Sequence, residues 1–328
     1  MLRIGIDISS GERSPLEIFE GVLLYKKENK DDDISIFVDE EFYNNNLDYF
    51  KLYKDLNYVI SKDKVLMEDK PSVVIKNKKD SSMVKGIKYL EENKIDAFFS
   101  PGNTGALITA SDKIIGKLKH FEHSAISVFV PNVYGEVILL DAGANYLVDD
   151  DTFVNHILLI SFLYEKFTNK KSKIGILNIG KESYKGPKWV KKVAKTISRI
   201  KKSEFYGFVE GNDLLTSDCN IFVTDGYTGN ILLKGIESVF YYIKKNIMSI
   251  ELIEALKNLK LEYSSTGCGI ILGFNKPVFI GHGVTDKYAV YNAIKFIKKF
   301  YSLNIDIKEI ASEIIVGHLI RKIKLIKK

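Results

Sequence analysis

Short apolar runs that end in glycine and small polar residues, each followed by a longer helical pattern, recur along this chain from Arg3 nearly to its end. No other feature constrains the fold as strongly. Strand candidates are Arg3–Ile8, Ile34–Val38, Ala97–Ser100, Ser124–Val130, Val137–Leu140, Lys173–Leu177, Phe205–Val209, Asn220–Thr224 and Val278–Ile280. Helical candidates are Leu16–Glu28, Met83–Glu92, Thr104–Leu118, Asp151–Phe167, Lys188–Lys201, Ile231–Asn246, Ile250–Leu261, Asp286–Phe300 and Ile307–Lys322. Alternation of this kind reads as a doubly wound α/β architecture, a mainly parallel sheet with helices on both faces. Around Asn132–Gly135 the pattern differs, because two apolar runs joined by Val133-Tyr134-Gly135 predict an antiparallel hairpin. In Ile231–Leu261 two helical segments follow one another with no strand between them. Such a pair either packs on its own domain or projects from it as an arm.

The chain has 328 residues, about the length of two domains of roughly 150 residues. Its six prolines are dispersed and no low-complexity linker divides it, so residues 1–328 read as one unit, with 231–262 as the arm within it. With 45% hydrophobic and 27% charged residues it has the composition of a soluble globular protein. The acidic run Asp31–Asp33 and the run Asn44–Asn46 read as surface loops. Cys219 and Cys268 are the only cysteines, too few for a disulfide framework or a four-cysteine zinc site. Apolar runs such as Ile157–Ile160 fall far short of the roughly 18 residues of a membrane span. The chain enters a strand-like run at once, with Asp7 inside it, so no signal peptide and a cytosolic location are expected. The net charge of +6 hints at nucleic acid, but among 48 basic residues only Arg3, Arg13, Arg199 and Arg321 are arginine. Arginine supplies the forks that read bases and clamp phosphates, so the excess reads as a solvated lysine surface and no nucleic-acid partner is expected. Attraction to an acidic protein or to anionic lipid stays open.

In open α/β sheets ligands bind where strands end and helices begin, and the glycines concentrate there. Ser100-Pro101-Gly102-Asn103-Thr104-Gly105-Ala106 follows a strand and opens a helix, whose first N–H groups can face an anion. Asp225-Gly226-Tyr227-Thr228-Gly229-Asn230 repeats the arrangement. Leu140-Asp141-Ala142-Gly143-Ala144-Asn145, Asn178-Ile179-Gly180 and His282-Gly283 are further strand-end loops. Singly, each reads as a tight turn. Five in one chain point to a pocket for an anionic ligand. No dinucleotide fingerprint, phosphate loop or Gly-x-Ser-x-Gly nucleophile elbow is present.

Taken in order, these blocks resemble the PlsX-type phosphate acyltransferases of bacterial phospholipid synthesis, from Ile4 to about Ile297. Other blocks that carry the resemblance are Met67-Glu68-Asp69-Lys70-Pro71, Lys78-Lys79-Asp80-Ser81-Ser82-Met83, Lys185-Gly186, Val209-Glu210-Gly211, Leu272-Gly273 and Pro277-Val278. The resemblance implies a fold related to the phosphate acetyltransferases and isopropylmalate dehydrogenases. It implies that inorganic phosphate attacks the thioester of a long-chain acyl group on acyl carrier protein, giving acyl phosphate and free carrier, with no cofactor and no metal. It further implies a homodimer on the cytosolic face of the membrane, whose product passes to a membrane glycerol 3-phosphate acyltransferase.

Matched to that reaction, the start of the helix at Asn103-Thr104 and the Lys185 ammonium are candidate phosphate donors, with Gly102 and Gly105 beside them. The Asn230 amide is a candidate donor to the oxyanion of the tetrahedral intermediate. His282 is a candidate to orient or deprotonate phosphate, and Asp225 to orient that histidine or a lysine. Asp141, Asn145, Gly226, Thr228 and Gly229 line the same loops as substrate-binding candidates. Each role has a plainer rival. Asp225 caps the following helix, His282 is a turn residue, and Lys185 is a surface lysine. Asp141 and Asn145 organise their loop, and Glu68, Asp69 and Lys70 pair with Lys78 and Lys79. Cys268 has no histidine near it in sequence and reads as packing.

The chain departs from the family pattern at several points. Ile8-Ser9-Ser10-Gly11-Glu12 stands where Met-Gly-Gly-Asp usually follows the first strand, and Lys181 stands where a glutamate usually follows Asn-Ile-Gly. Pro187 replaces an asparagine, Thr266-Gly267-Cys268-Gly269 replaces Tyr-Gly-Gly-Ala, and Val284 replaces a serine. In the arm, Ile231, Leu232, Gly235, Val239, Tyr242 and Ile243 share one helical face, as do Leu252, Ile253, Leu256 and Leu259. Lys244, Lys245, Lys257 and Lys260 lie among them, so the pair is amphipathic and basic. Beside the plainer reading that these faces pack on their own domain, the resemblance implies an arm that builds the dimer and offers a basic apolar tip, near Ile247 and Met248, to an anionic membrane surface.

Overall fold

The computed structural model describes residues 1–146, 150–200, 204–246, 267–281 and 285–311. No linker marks a cut in the sequence, yet the chain gathers into two compact units. One takes Met1–Lys117 and Thr266–Ser302, the other Leu118–Ser265 and Leu303–Lys328. Both units are discontinuous, because the chain returns to the first at Thr266 and to the second at Leu303, so composition along the chain has no single boundary to reveal.

In the first unit β1 (Arg3–Asp7), β2 (Asp33–Asp39), β3 (Asn57–Ser61), β4 (Ala97–Ser100), β10 (Gly269–Leu272) and β11 (Val278–Ile280) lie in the order β3-β2-β1-β4-β11-β10. All neighbours there are parallel except β10 against β11. Parallel strands covered on both faces read as continuous apolar runs, and β4 is buried at every position. Helix α1 (Pro15–Glu28) buries Ile18, Phe19, Val22 and Tyr25, and α11 (Lys287–Ser302) buries Val290, Ala293, Ile294 and Ile297. The two cross at Gly21, where a Cβ would lie 2.6 Å from that of Val290.

In the second unit β5 (Ala125–Asn132), β6 (Gly135–Leu140), β7 (Lys173–Leu177), β8 (Glu204–Val209) and β9 (Ile221–Val223) run in the order β5-β6-β9-β7-β8. The hairpin expected around Asn132–Gly135 is present as the antiparallel pair of β5 and β6, with Asn132 opposite Gly135. The other neighbours are parallel. Helix α7 spans Asp150–Thr168. Helix α8 (Lys188–Ile197) buries Val190, Val193, Ala194 and Ile197 on one face, leaving its lysines outward. Because β6, β9 and β7 are parallel neighbours, the loops after Leu140, Val223 and Leu177 leave one edge of this sheet.

Several elements differ from the sequence reading. Strands β3 and β10 carry little signal in the sequence, because β3 is a five-residue run with polar ends, Asn57 and Ser61, and β10 is four residues long beside glycine. Helices α2 (Glu40–Asn45), α3 (Leu47–Phe50), α4 (Pro71–Asn77), α5 (Ser82–Glu91), α6 (Thr104–Ile114) and α9 (Asp213–Thr216) are also present. Of these α2, α3, α4 and α9 are too short for a periodic signal. Helix α10 runs Gly226–Asn246, starting five residues before the expected Ile231. The second arm segment, with Ile247 and Met248, lies outside the described residues, as does most of the helix expected over Ile307–Lys322. Among the described residues no helix is long and apolar enough to cross a membrane.

Candidate functional site

In the first unit the strand-end loops enclose a buried polar network. Asp7, at the end of β1, is fully buried and accepts from the Ser9 amide at 3.1 Å and the Ser100 hydroxyl at 2.8 Å. Burial pushes its carboxyl above the ordinary range, against the pull of hydrogen bonds from Ser10, Ser100 and Ser82. The Ser9 hydroxyl donates to Asp39 Oδ2 at 2.8 Å and accepts the Asp39 amide at 2.9 Å. The hydroxyls of Ser10 and Ser82 lie 3.3 Å apart. The serines that depart from the family pattern after the first strand are thus bound into a network that ties β1 to β2, β4 and α5.

Asn103 is the N-cap of α6, its Oδ1 accepting from the Ala106 amide at 2.9 Å. Its Nδ2 donates to the carbonyls of Met67 at 2.7 Å and Asp69 at 3.0 Å. The side chain expected at the phosphate therefore organises the helix start and the turn before α4. The backbone donors that could face an anion at this end are the N–H groups of the first helical turn, around Thr104 and Gly105, with Gly102 packed against Ser10. Asp69 pairs with Lys78 at 2.7 Å and accepts the Leu66 amide at 2.7 Å, so the ion-pair reading holds for these two residues. Gly281 donates its amide to the Ser100 carbonyl at 3.0 Å, whereas His282 and Gly283 lie outside the described residues.

In the second unit the loop after β6 is built on Asp141. Its buried carboxylate accepts the amides of Ile126, Gly143, Ala144 and Asn145 at 2.9–3.0 Å and the Asn145 side-chain amide at 2.8 Å. Burial raises this carboxyl and those donors oppose the shift. Asp141 and Asn145 are loop organisers. Against the loop sits the start of α10. Gly226 donates its amide to the Asn145 carbonyl at 2.8 Å, and a Cβ on Gly229 would overlap the Asp141 carbonyl oxygen. Only glycine allows that approach. Asp225 caps the helix, accepting the Thr228 amide at 2.9 Å and its hydroxyl at 2.8 Å. Asn230, one turn in, lies against Gly143, whose Cβ would be 3.5 Å from the Asn230 Oδ1. The candidates Asp141, Asn145, Asp225, Gly226, Thr228, Gly229 and Asn230 thus converge.

The loop after β7 carries Lys185. Asn178 closes it by donating to the carbonyls of Gly180 at 3.0 Å and Lys185 at 3.3 Å. Gly186 takes φ +81°, and a side chain there would run into the Asn178 amide. The Lys185 ammonium contacts Glu182 at 2.9 Å, and Lys181 reaches Asp213 at 3.1 Å. Lys181, whose sign differs from the family pattern, therefore meets a carboxylate of its own. Glu182 and Asp213 escaped sequence reasoning. Asp7 had a signal, a lone carboxylate inside an apolar strand, whereas nothing in the sequence sets Asp213 apart from other loop acids.

Cys219 and Cys268 are buried free thiols, and burial pushes Cys219 up to about 12 and Cys268 up as well, so neither is a ready nucleophile. Among the described residues no group of three or more His, Cys, Asp or Glu is placed to hold a metal ion.

A family model described as "Fatty acid synthesis protein" matches residues 2–308. The chain is 34% identical to a phosphate acyltransferase of Caldicellulosiruptor bescii, over 93% of this chain and 96% of that protein. It is 34% identical to one of Thermotoga maritima, over 93% and 94%, and 32% identical to one of Brachyspira hyodysenteriae, over 95% and 97%. Among solved structures, a branched-chain phosphotransacylase from Enterococcus faecalis superposes with TM-score 0.61 at 16% identity, covering 91% of this chain and 98% of that one. A phosphotransacetylase from Streptococcus pyogenes gives 0.58 at 13% identity, covering 93% and 94%. These two share the fold. With the strand-end loops in place and full-length relatives on either side of one-third identity, the chain belongs to the PlsX-type family of phosphate acyltransferases.

Proposed function

We propose that this phosphate acyltransferase takes its acyl group from long-chain acyl carrier protein and supplies acyl phosphate to glycerol 3-phosphate acylation in phospholipid synthesis. The observation that carries the reading is the shared edge of β6, β9 and β7, from which the loops bearing Asn145 and Lys185 and the helix start bearing Asn230 all leave. A phosphate oxygen bonds to the thioester carbonyl carbon, the carbon–sulfur bond breaks, and the thiol of the carrier leaves. Lys185 neutralises the attacking anion. The Asn230 amide is the donor to the oxyanion, held in place by the contact of α10 with the Asp141 loop. Asp225 acts through the helix start that it caps, and the N-terminus of α6 offers further N–H donors to anionic groups. His282 is assigned the proton-handling role from its motif.

Dimer formation through α10 and attachment to an anionic membrane belong to the same reading. In support, Ile231, Val239 and Tyr242 on this helix are 54%, 57% and 68% exposed in the single chain. The test is direct. Purified protein with phosphate and long-chain acyl carrier protein should form acyl phosphate, and with acetyl-CoA it should not. The opposite preference would make it a short-chain enzyme, and no product from either would make it a binding protein. Ile247→Glu with Met248→Glu should release the protein from anionic vesicles and leave turnover in solution intact.

A further inference from the structure

The Lys185 ammonium already has an anionic partner. Glu182 accepts from it at 3.0 Å through Oε1 and 2.9 Å through Oε2, so both carboxylate oxygens face one Nζ. The pair closes directly over Gly180, whose Cβ would lie 2.6 Å from Glu182 Oε2 and 3.0 Å from Lys185 Nζ. A backbone hydrogen bond from the Lys185 amide to the Glu182 carbonyl, at 3.1 Å, fixes the turn between them. Asn178 holds both ends of the same loop through the Gly180 and Lys185 carbonyls. Three hydrogen bonds tie the backbone of this loop, while the side chains stay open to solvent, Lys185 at 36% and Glu182 at 48%.

We propose that Glu182 is an internal competitor for phosphate, a carboxylate that occupies the Lys185 ammonium and sets the phosphate concentration the enzyme requires. Inorganic phosphate reaching that ammonium shares it with a like charge about 3 Å from Nζ or displaces it. An exposed ion pair is held weakly, so displacement disturbs nothing in the fold. The hydrogen bond from Lys185 keeps the Glu182 carboxyl below its ordinary range, so the competitor stays charged at neutral pH. Glu182 is a positioning residue here, acting only through Lys185, and the inference rests on the phosphate role proposed for that lysine.

The experiment is a cycle of variants read by phosphate alone. Binding of inorganic phosphate to the wild type, Glu182→Gln, Lys185→Ala and the double variant is measured by titration calorimetry, with the phosphate KM of acyl phosphate formation measured in parallel. Glu182→Gln should bind phosphate roughly two- to fivefold more tightly, and in the Lys185→Ala background the same change should have no effect. Glu182→Asp, which keeps the charge but withdraws it by one methylene, should fall between. Tighter binding that persists without Lys185 would overturn the competitor role, as would unchanged or weaker binding in Glu182→Gln while Lys185→Ala weakens it. Unchanged binding in Lys185→Ala would instead remove the phosphate role of Lys185, and the inference with it.

Discussion

Gly226 lies against Asn145 so closely that a Cβ on the glycine would sit 2.7 Å from the Asn145 backbone nitrogen, while its own amide donates to the Asn145 carbonyl at 2.8 Å. The contact docks the start of α10 onto the Asp141 loop and so sets where Asn230 stands. Gly226→Ala should lower stability by about 1–3 kcal/mol, the cost of forcing a methyl group into a closed contact. Turnover should fall further than stability accounts for, because Asn230 moves with the helix. Urea midpoints and acyl phosphate formation on the same preparation would show it. A variant with normal values of both would mean that the loop yields freely.

Asp225 shows how a capping role and a chemical role can be separated. Both of its carboxylate oxygens accept from Thr228. Asp225→Ala should lose about 1 kcal/mol of stability, whereas Asp225→Ser keeps a capping oxygen and should lose little. If Asp225 works only through the helix start, the serine variant also retains turnover to within about tenfold. A loss of roughly 100-fold in a stably folded serine variant would assign the carboxylate to proton handling instead.

Asn103 gives a sharper contrast. Its Oδ1 caps α6 and its Nδ2 ties down the carbonyls of Met67 and Asp69. Asn103→Ala should cost about 1–2 kcal/mol through loss of the cap. Asn103→Asp preserves the cap but turns a carboxylate oxygen toward two carbonyls, so it should be destabilised too. An aspartate variant as stable as the wild type would mean that the Met67–Asp69 turn does not depend on this residue.

Asp7 predicts a pH dependence whose sign is fixed. Burial raises its folded-state pKa above the ordinary carboxylate value, so the folded chain holds this proton more tightly than the unfolded one. The contribution of Asp7 to stability is complete below the unfolded pKa and is lost as pH rises from there through the raised value. Asp7→Asn removes that slope. Across a pH series of urea midpoints, the variant should gain on the wild type as pH rises. Parallel curves would show that the carboxyl does not titrate differently in the folded state.

The sheet was legible in the sequence because parallel strands buried on both faces leave unmistakable apolar runs, as in Ala97–Ser100 and Lys173–Leu177. The loops were legible because close approach demands glycine, although the sequence did not show that Gly226 and Gly229 would meet the Asp141–Asn145 loop. The work done by the polar residues was harder to read. Asn103 looks the same in sequence whether it faces a ligand or caps a helix, and only geometry shows that its side-chain oxygen and nitrogen both have partners within the protein. Likewise Gly226–Asn230 reads as a loop, because two glycines in five residues oppose helix formation until docking against Asp141 and the Asp225 cap outweigh them. Pairs such as Lys185 with Glu182 can be guessed from spacing, but a pair such as Lys181 with Asp213, 32 residues apart, cannot.

The Lys181–Asp213 pair supplies the last prediction. Asp213 is 12% exposed at its side chain, and its Oδ2 accepts the Glu210 amide at 2.9 Å while Oδ1 meets Lys181 at 3.1 Å. The pair ties the loop that carries Lys185 to the turn leading into α9. Lys181→Met keeps the aliphatic stem and loses only the charge, so it should cost less than about 1 kcal/mol. Lys181→Glu, which restores the sign usual in the family, places a second carboxylate beside a mostly buried one already committed to a backbone amide. It should therefore cost distinctly more, about 1–2 kcal/mol at low salt. Lys181 itself is 61% exposed, so salt should screen much of that repulsion and bring the two variants together. Urea midpoints of both at low and high salt measure the difference. If Lys181→Glu matches Lys181→Met at low salt, Asp213 is not the partner that the charge of this lysine serves.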